Sequence, residues 1–409
     1  MSSDWNKIDE YAAREAESLR SEFIELLAEL VAARTVNVIA ERLPDFPYMK
    51  QRGEETRAVE IVRDWAAREG FESETFARIP ARANMVLRYG EGNGTRLLAP
   101  CHTDVVPPGD GWESDPFELR VEGDTVRGRG VTDNKGPLVA SLLAMKILKA
   151  AGVRIKGELQ VGALADEEAT DVDGVDYGLI YMLEEGLIDA DYAIVPDIGG
   201  NMRDIDIAEK GIVNFEITAT GKQAHGSTPE KGINAIDNMA EYLMRLKGHR
   251  FGHEPHPVLG TYSVNVGEIR GGAAPNIVPG ACSAVVDMRL LPSQSIEGVR
   301  AELLALGEGL RADFAVEVKM RLDPHEIEPG SQLIEKTADA GEHVLGQRPR
   351  TMGLGGGTYA KFLNHRGIEA IGFAPGSSDA MHMANESASV AEHLDFARAL
   401  ALAAVEIAR

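Results

Sequence analysis

The residue types that could do chemistry first occur together in the segment 99–135. An apolar run in this segment ends at His102, and Asp104 follows two residues later. A histidine that binds a metal ion usually donates its second ring N–H to a carboxylate, and Asp104 has the spacing to accept it. About one strand and one turn later, Asp133 lies in the glycine-flanked segment GRGVTDNKG, just before an apolar helical pattern. A His-x-Asp pair by itself equally fits a structural histidine, so its interpretation depends on the residues that follow.

Further polar side chains lie where predicted strands end, and several are potential metal ligands. Besides the three residues above, they are Glu167, Glu168, Asp197 and His382. If one carboxylate orients the histidine and another is kept for catalysis, five nitrogen and oxygen ligands remain, none of them a cysteine. Such donors suit a catalytic zinc ion or a similar divalent ion. Five side chains can hold two ions when one carboxylate bridges them, and Asp133 in its bend is the natural bridge.

The adjacent pair Glu167 and Glu168 in ALADEEAT is more specific than the single residues. Adjacent residues that leave a strand point in different directions. One carboxylate can therefore bind a metal ion while its neighbour acts as general base on a water molecule. An exposed acidic turn is the alternative interpretation of the pair taken alone.

Length and composition exclude several classes of protein. The chain has 409 residues, which favours two domains over one. Its net charge of −23 argues against nucleic-acid binding, which needs clustered Lys and Arg. No apolar run approaches the ~20 residues of a membrane span, and the charged N-terminal segment is unlike a secretory signal. The two cysteines, Cys101 and Cys282, lie far apart, so we predict a soluble cytoplasmic protein whose acidic surface serves solubility or adaptation to high salt.

Hydrophobic patterning predicts an α/β protein with two domains. Up to about residue 210, strand patterns alternate with helix patterns, which predicts a mostly parallel sheet covered on both faces. Ligands bind at the carboxyl ends of the strands in such sheets, and the polar residues named above occupy these ends. Between 211 and 323 the pattern becomes β-α-β-β-α-β, as in a small inserted α+β domain. We therefore predict a catalytic domain over 1–210 and 324–409 with an inserted lid domain over 211–323, and a proline-containing loop over 41–53.

Eight motifs occur in order along almost the whole chain. They are HTDVVPPG, GRGVTDNKGPLVASLLAMKIL, ADEE, VPD, KQAHGSTPEKGINAI, APNIVPGACSAVVDMR, GGGTYAKF and MHMANE. Together they resemble the di-zinc metallopeptidase family of aminoacylase-1, carboxypeptidase G2, acetylornithine deacetylase, succinyl-diaminopimelate desuccinylase and dipeptidase V. The resemblance implies an α/β di-zinc hydrolase domain with an inserted lid that also serves dimerisation.

The resemblance also implies a role for each strand-end residue. It assigns His102, Asp133 and Asp197 to one zinc ion, and Asp133, Glu168 and His382 to a second. Glu167 then becomes the general base and Asp104 the partner of His102. A cis peptide bond is implied between Asp133 and Asn134. Co²⁺ or Mn²⁺ could replace zinc, because geometry and availability decide among these metals.

Residues of the inserted domain are implied to handle the substrate. His225 matches a lid histidine that stabilises the oxyanion of the tetrahedral intermediate. Asn276 and Arg289 match residues that grip a substrate carboxylate, for which an Arg fork is selective. A glycine-rich loop is also implied to contact the substrate, and it consists of Gly355, Gly356, Gly357 and Thr358. The short lid is of the kind through which relatives dimerise, so we predict a homodimer in which His225 serves the partner's active site.

Two features of the sequence depart from this pattern or stand outside it. Cys101 occupies a position where relatives usually carry Gly, and a small buried thiol is a simpler interpretation than a soft metal ligand. His249, His253 and His256 in KGHRFGHEPHP could form a second metal site or simply lie in a proline-rich lid loop.

The predicted activity is hydrolysis of the amide bond of a small molecule, a dipeptide or an N-acyl amino acid with a free carboxylate. RGVTDNKGP, GGGTYAKF and GFAPGSSDAMHMANE look most like dipeptidase V. The alternative is an N-succinyl or N-acetyl diamino-acid deacylase, which the short lid favours. A metal phosphoesterase would need a basic phosphate cradle, which the sequence lacks. A catalytically inactive binding protein would be expected to lack the base or a ligand, and all are present.

Overall fold

The computed structural model describes residues 3–37, 54–168 and 176–409, so the loop predicted over 41–53 lies outside the described residues. The helices are α1 (Ser3–Arg14), α2 (Ala16–Ala32), α3 (Thr56–Glu69), α4 (Lys135–Ala150), α5 (Leu179–Glu184), α6 (Ala235–Gly248), α7 (Ile296–Ala305), α8 (Gln332–Leu345), α9 (Tyr359–Asn364) and α10 (Val390–Ile407). The strands are β1 (Glu72–Ala77), β2 (Ala83–Gly90), β3 (Arg96–His102), β4 (Arg120–Glu122), β5 (Thr125–Arg127), β6 (Glu158–Leu164), β7 (Tyr192–Val195), β8 (Asp204–Glu209), β9 (Gly211–Thr220), β10 (Ser263–Gly271), β11 (Ala281–Leu290), β12 (Asp313–Leu322), β13 (His325–Glu326), β14 (Arg350–Leu354), β15 (Glu369–Gly372) and β16 (Ser387–Ser389).

The chain folds into two compact units. The first unit contains the residues up to Ile207 together with Ile327–Thr351 and Thr358–Arg409. The second contains Ala208–Glu326 and the short segment Met352–Gly357. The sequence prediction assigned that short segment to the catalytic domain. It joins the second unit because the Lys210 N–H donates to the Leu354 carbonyl (2.9 Å) and Gly353 packs closely against Leu259.

The first unit is built on a large mixed sheet. Its strands lie in the order β1-β2-β6-β3-β7-β15-β8. β6, β3, β7 and β15 pair in parallel, whereas β1 and β2 pair antiparallel at one end and β8 pairs antiparallel at the other. The apolar run in β3 is buried almost throughout, which is typical of a parallel strand covered on both faces. The α/β class is therefore the predicted one, although the sheet is mixed rather than mostly parallel.

Helices cover the apolar strands of this sheet. Leu98 of β3 and Leu164 of β6 belong to one buried cluster with residues of α5 and α9, such as Met182 and Leu363. α4 and α10 contact β3 and pack against each other. A small sheet of order β16-β5-β4 adjoins the start of α10, where the Val390 N–H donates to the Asp124 carbonyl (2.9 Å). This layered packing fixes the carboxyl ends of the central strands.

The second unit is an antiparallel sheet with two helices on one face. The strand order is β10-β11-β9-β12, and the element order β9-α6-β10-β11-α7-β12 is the one predicted from the sequence. Buried and half-buried residues alternate along β9, since one face of the strand meets the core and the other does not. Phe215, Tyr242, Val286 and Leu303 belong to that core. All residues of β10, the edge strand, are exposed.

Across residues 3–37, 54–168 and 176–409, the structure contains no helix that is both long and apolar enough to span a bilayer.

Candidate metal centre

The carboxyl ends of the central strands bring the predicted ligands together. His102 is the last residue of β3, Glu168 follows β6, and Asp197 follows β7. Asp133 lies in the turn before α4, and its peptide bond to Asn134 is cis, as the resemblance implied. Because parallel strands end at the same edge of a sheet, residues distant in sequence meet there.

Asp133 lies between the two histidines of the site. His102 Nε2 is 2.9 Å from Asp133 Oδ1, and His382 Nε2 is 3.1 Å from Asp133 Oδ2. His382 Nε2 is also 3.1 Å from Glu168 Oε2. The two carboxylate oxygens of Asp133 therefore face different histidines, which is the arrangement that a bridging ligand requires.

Two groups of side chains could each hold a metal ion. One is His102, Asp133 and Asp197, and the other is Asp133, Glu168 and His382. Within each group the potential ligand atoms lie within 4.8 Å of one another, and Asp133 belongs to both. The donors are imidazole nitrogens and carboxylate oxygens, which suit catalytic zinc and similar ions. Glu168 Oε1 is buried and accepts no hydrogen bond from the residues that the structure describes. A metal ligand is a role that would satisfy this oxygen.

The electrostatics of the site also fit a cation pair. Burial, followed by the Asp133 charge, raises the pKa of Glu168 to about 7. Hydrogen bonds with Asp133 and Glu168 raise the pKa of His382 to about 10. Burial alone would raise the pKa of Asp133, but the hydrogen bonds and charges of His102 and His382 hold it below its usual value. Buried carboxylates at this density are costly unless cations balance them, and the five side chains therefore fit two divalent ions.

Glu167 belongs to neither ligand group, although it lies beside both. Burial, opposed by the charge of His102, raises the pKa of its carboxyl well above the ordinary value. The charges of Glu168, Asp197 and Asp133 act in the same direction as burial. A carboxylate whose pKa is raised above its ordinary value is a better proton acceptor and can take part in general acid–base catalysis.

Asp104 has a larger structural role than its spacing predicted. His102 Nδ1 is 3.0 Å from the main-chain carbonyl of Asp104 and 3.5 Å from its carboxylate oxygen Oδ1. The buried carboxylate also accepts the main-chain N–H groups of Glu167 (3.2 Å) and Glu168 (3.0 Å). Asp104 thus orients the histidine largely through its carbonyl and holds the glutamate pair through its carboxylate.

Sequence reasoning missed a buried network behind the glutamate pair. Asn37 donates to Asp104 Oδ2 (2.8 Å) and to Asp166 Oδ1 (3.0 Å), and Arg82 Nη1 donates to the same Asp166 oxygen (2.5 Å). Asp166 immediately precedes the pair and has a positive φ of 63°, a conformation that ion pairing and hydrogen bonding must support. No spacing rule joins Asn37, Arg82 and Asp166, since the contacts span 45 to 129 positions. Only the folded chain reveals them.

The predicted oxyanion residue lies on an exposed loop of the second unit. His225 Nδ1 accepts the Ser227 N–H (3.1 Å) and lies 2.8 Å from Ser227 Oγ, so the ring proton belongs on Nε2. The Gly226 N–H donates to the Asn276 carbonyl (2.7 Å), which places the predicted substrate residue Asn276 beside the His225 loop. The structure thus brings these two predicted residues together, with a ring N–H left to donate.

Arg289 is already engaged on one edge of its guanidinium group. Nε and Nη2 donate to the two carboxylate oxygens of Asp287, at 2.9 and 3.2 Å. Nη1 donates weakly to the carbonyl of Gly355, at 3.4 Å. The Nε and Nη2 edge, which was expected to bind a substrate carboxylate, is therefore occupied by Asp287. Only the Nη1 side of the guanidinium group is weakly engaged.

The predicted glycine-rich loop is divided between the two units. Gly355, Gly356 and Gly357 belong to the second unit, and Thr358 belongs to the first. Thr358 is buried, and its hydroxyl accepts the Ala360 N–H (3.1 Å) as the N-cap of α9. The structure therefore gives the Thr358 hydroxyl a capping role that the sequence reading did not anticipate.

The three lid histidines do not form a metal site. His249 pairs with Glu302 and His256 pairs with Glu326, each at 2.8 Å, while His253 Nδ1 is 2.9 Å from the Phe251 carbonyl. In the part of the chain that the structure describes, the groups able to hold an ion are the two around Asp133. Cys101 is buried with its sulfur 3.7 Å from Ser141 Oγ, and burial raises its pKa to about 12, as expected of a packed thiol.

The fold and this site define a metal-dependent hydrolase. The chain matches the model of peptidase family M20/M25/M40 over residues 100–406, and it belongs to that family. The predicted family resemblance, the α/β fold class and the assignment as an enzyme are thereby confirmed.

Individual relatives show the breadth of this family. An uncharacterised metallohydrolase of Methanocaldococcus jannaschii is 31% identical over 330 residues, covering 75% of this chain and 79% of that protein. The acetylornithine deacetylase of Pasteurella multocida is 29% identical over 396 residues, covering 92% of this chain and 96% of that protein. The crystal structure of aminopeptidase PepT from Bacillus cereus superposes with a TM-score of 0.75 at 20% identity, covering 95% of this chain and 99% of that one. That last similarity concerns the fold.

Proposed function

We propose that the protein is a two-zinc hydrolase that cleaves the amide bond of a dipeptide or N-acyl amino acid bearing a free carboxylate. The observation that carries this proposal is the pair of ligand groups sharing Asp133, with Glu167 beside both and a ligand of neither. When bound, two such ions would lower the pKa of a water molecule and polarise the amide carbonyl. Zinc is proposed from the donor types, and Co²⁺ or Mn²⁺ would suit the same set.

The residues of the chain then have distinct proposed tasks. Glu167 accepts a proton from the attacking water on its carboxylate and later delivers it to the nitrogen of the leaving amine. Burial raises the pKa of Glu167 well above its ordinary value, so the carboxylate is a stronger base than an exposed glutamate, as the first transfer requires. Asp104 keeps Glu167 in place by accepting its main-chain N–H.

The second unit supplies the proposed substrate contacts. His225 Nε2–H donates to the developing oxyanion, and a ring whose Nδ1 already accepts the Ser227 N–H is well prepared for that donation. Arg289 binds the substrate carboxylate through its Nη1 side, whose one contact in the structure is weak, while Asp287 fixes the plane of the guanidinium group. Asn276 and the glycines of Gly355–Gly357 complete the proposed substrate surface.

The alternative activity is removal of an N-acetyl or N-succinyl group from a diamino acid. The similarity to an acetylornithine deacetylase over 92% of this chain supports it. A panel of dipeptides, N-acetyl and N-succinyl amino acids, assayed for kcat/KM, separates the two activities. Each substrate is paired with its carboxyl-amidated form, and a phosphate monoester is included. Turnover of the ester alone would contradict amide hydrolysis.

We also propose a cytoplasmic homodimer that forms through the second unit. β10 is an exposed edge strand with Val264, Val266 and Ile269 on its surface, and unpaired edges of this kind readily pair with another chain. In such a dimer His225 is proposed to serve the partner's active site. Two buried, unpaired cysteines support a reducing compartment.

Complementation tests the trans arrangement of His225. The variants Glu167→Ala and His225→Ala should each be inactive alone, and they are unfolded together and refolded. If His225 acts in trans, hybrid dimers contain one intact site, and about a quarter of all sites recover. Activity that stays flat, with hybrids verified by native mass spectrometry, would contradict the trans arrangement.

A further inference from the structure

The carboxylate of Glu386 is the acceptor of a buried hydrogen-bond network next to the candidate metal centre. Oε1 accepts the main-chain N–H groups of Thr132 (2.8 Å) and Asp133 (3.2 Å). Oε2 accepts the N–H of Gly130 (3.0 Å) and the guanidinium Nη1 of Arg129 (2.7 Å). One carboxylate thus satisfies three main-chain donors of the turn that carries Asp133.

The turn has few other ways to satisfy these donors. Residues 130–133 lie between β5 and α4, so neither a strand ladder nor a helix provides acceptors for their N–H groups. A buried N–H without an acceptor is costly, and a carboxylate is among the strongest acceptors available. Glu386 therefore sets the main-chain position from which the Asp133 side chain projects.

Arg129 makes the burial of this carboxylate tolerable. The Glu386 and Arg129 side chains are 0% and 1% exposed, and their charges meet at 2.7 Å. Arg129 also donates to the Pro108 carbonyl (3.2 Å) and lies over the Trp112 ring, 5.3 Å from its centre. A buried ion pair with this many partners is held in one geometry, and removing one member is strongly unfavourable.

Glu386 also connects the two loops that carry predicted ligands. It follows His382 by four residues, and its main-chain carbonyl accepts the Gly128 N–H (3.1 Å). Immediately after it, β16 pairs with β5, and the Thr132 hydroxyl donates to the Ser387 carbonyl (3.1 Å). The loop bearing His382 and the turn bearing Asp133 are consequently joined through this one residue and its neighbours.

We infer that Glu386 is a positioning residue for the metal pair, which presents Asp133 and His382 to each other by holding the 130–133 turn. Because Asp133 belongs to both ligand groups, a displaced turn weakens the binding of both ions and not of one. The inference rests on the metal centre proposed above. It assigns Glu386 an indirect role, since the residue is in neither ligand group.

The substitution Glu386→Gln tests this role with little change in shape. Gln replaces one acceptor oxygen by an NH₂ group, which must then face N–H donors of the turn or the Arg129 guanidinium. Loss of a hydrogen-bond partner that orients a metal ligand typically weakens metal binding by about 10- to 100-fold. We expect that loss for both equivalents of Zn²⁺, measured by competition with a chromophoric chelator, and an altered visible spectrum of the Co²⁺-loaded protein.

Asp124→Asn is the control, at a more exposed carboxylate with similar partners. Asp124 also accepts a main-chain N–H, from Ala391 (3.1 Å), and an arginine, Arg20 Nη1 (2.9 Å), beside the same small sheet. These contacts are with α2 and the start of α10, and neither is with the 130–133 turn. Asp124→Asn should lower thermal stability while leaving the Zn²⁺ affinity within about twofold of the wild-type value.

The outcomes separate this inference from the metal centre itself. If the wild-type protein binds two ions and a folded Glu386→Gln variant binds them equally well, the positioning role is wrong and the metal centre stands. If the wild-type protein binds no ion pair, both are wrong. Should Glu386→Gln fail to fold, Glu386→Asp is judged by the same criterion, because it keeps the charge but withdraws the oxygens by one methylene length. Weaker binding by either folded variant supports the inference.

Discussion

The predicted metal ligands and the predicted substrate residues are held in different ways. His102, Asp133 and Glu168 are largely buried, and contacts from distant parts of the chain hold the segments that carry them. His225 and Arg289, in contrast, are exposed and half-buried, and their shortest side-chain contacts are with neighbours two residues away, Ser227 and Asp287; Arg289 also donates weakly to Gly355. Long-range buried contacts fix geometry, whereas local contacts at the surface leave a side chain adjustable. The candidate metal ligands are thus preassembled, whereas the predicted substrate residues of the second unit are more adaptable.

The largest effect is expected from removing the residue shared by both ligand groups. Asp133→Ala should reduce bound metal from two ions to almost none and activity to the background rate, since each group loses a ligand. Elemental analysis after gel filtration measures the metal content. His225→Ala is the corresponding change in the second unit. This variant should keep both ions but lose activity. Loss of a single ion in Asp133→Ala would show that the residue does not bridge.

Asp104→Asn should give the next largest effect. The amide group would face the N–H donors of Glu167 and Glu168 that the carboxylate now accepts, and the glutamate pair would shift. We expect metal affinity and kcat each to fall by about 10- to 100-fold, measured by chelator competition and steady-state kinetics. An unchanged kcat would mean that the pair is fixed by other contacts.

A smaller, substrate-dependent effect is expected at Arg289. Arg289→Lys should lower kcat/KM by about tenfold or more for substrates with a free carboxylate and spare their amidated forms, because an ammonium group cannot keep the two hydrogen bonds to Asp287 and also present an N–H at the position of Nη1. Metal content should not change. Equal losses on both kinds of substrate would place carboxylate recognition elsewhere.

The smallest effect concerns stability and not catalysis. Burial lowers the pKa of His393 to about 4, from 6.5 in the unfolded chain. Between these values the unfolded state binds more protons, so the free energy of unfolding falls as the pH falls from 6.5 towards 4. His393→Asn retains a donor for the Ser389 carbonyl, which His393 Nδ1 meets at 2.8 Å. It should flatten this slope by up to about 1.4 kcal/mol per pH unit in denaturant titrations.

Comparison with the exposed residue His365 tests that explanation. His365→Asn removes an exposed histidine and should leave the slope unchanged. A slope that stays the same in His393→Asn would mean that other groups cause the acid sensitivity.

The sequence was most informative where the required signal is local. Alternating strand and helix patterns predicted the α/β class, and polar residues at strand ends pointed to His102, Glu168 and Asp197 before any contact was visible. The order of elements in the second unit could equally be predicted, because its strands and helices have distinct hydrophobic patterns. In β9 the structure shows the matching alternation of buried and half-buried residues.

The supports of the site could not be read in the same way. Glu386 meets the turn of Asp133 across 253 positions, and Asp104 meets Glu168 across 64. Such contacts form only in the tertiary fold, and they produce no periodicity or motif in the amino-acid sequence. Thr358 is a different case, because a Thr before a helical segment is a recognisable N-cap, and that signal was available beside the glycine-rich motif.

Metal content and turnover of the Glu167→Gln variant test the central claim most directly. In this account Glu167 transfers the proton and does not bind an ion. The variant should therefore retain both ions and bind Zn²⁺ as tightly as the wild-type protein in chelator competition. Its turnover of the best amide substrate should fall by more than the ~10²–10⁴ typical of general acid–base catalysis, because the attacking water is also misplaced. Loss of either ion, or turnover near the wild-type value, would contradict the account.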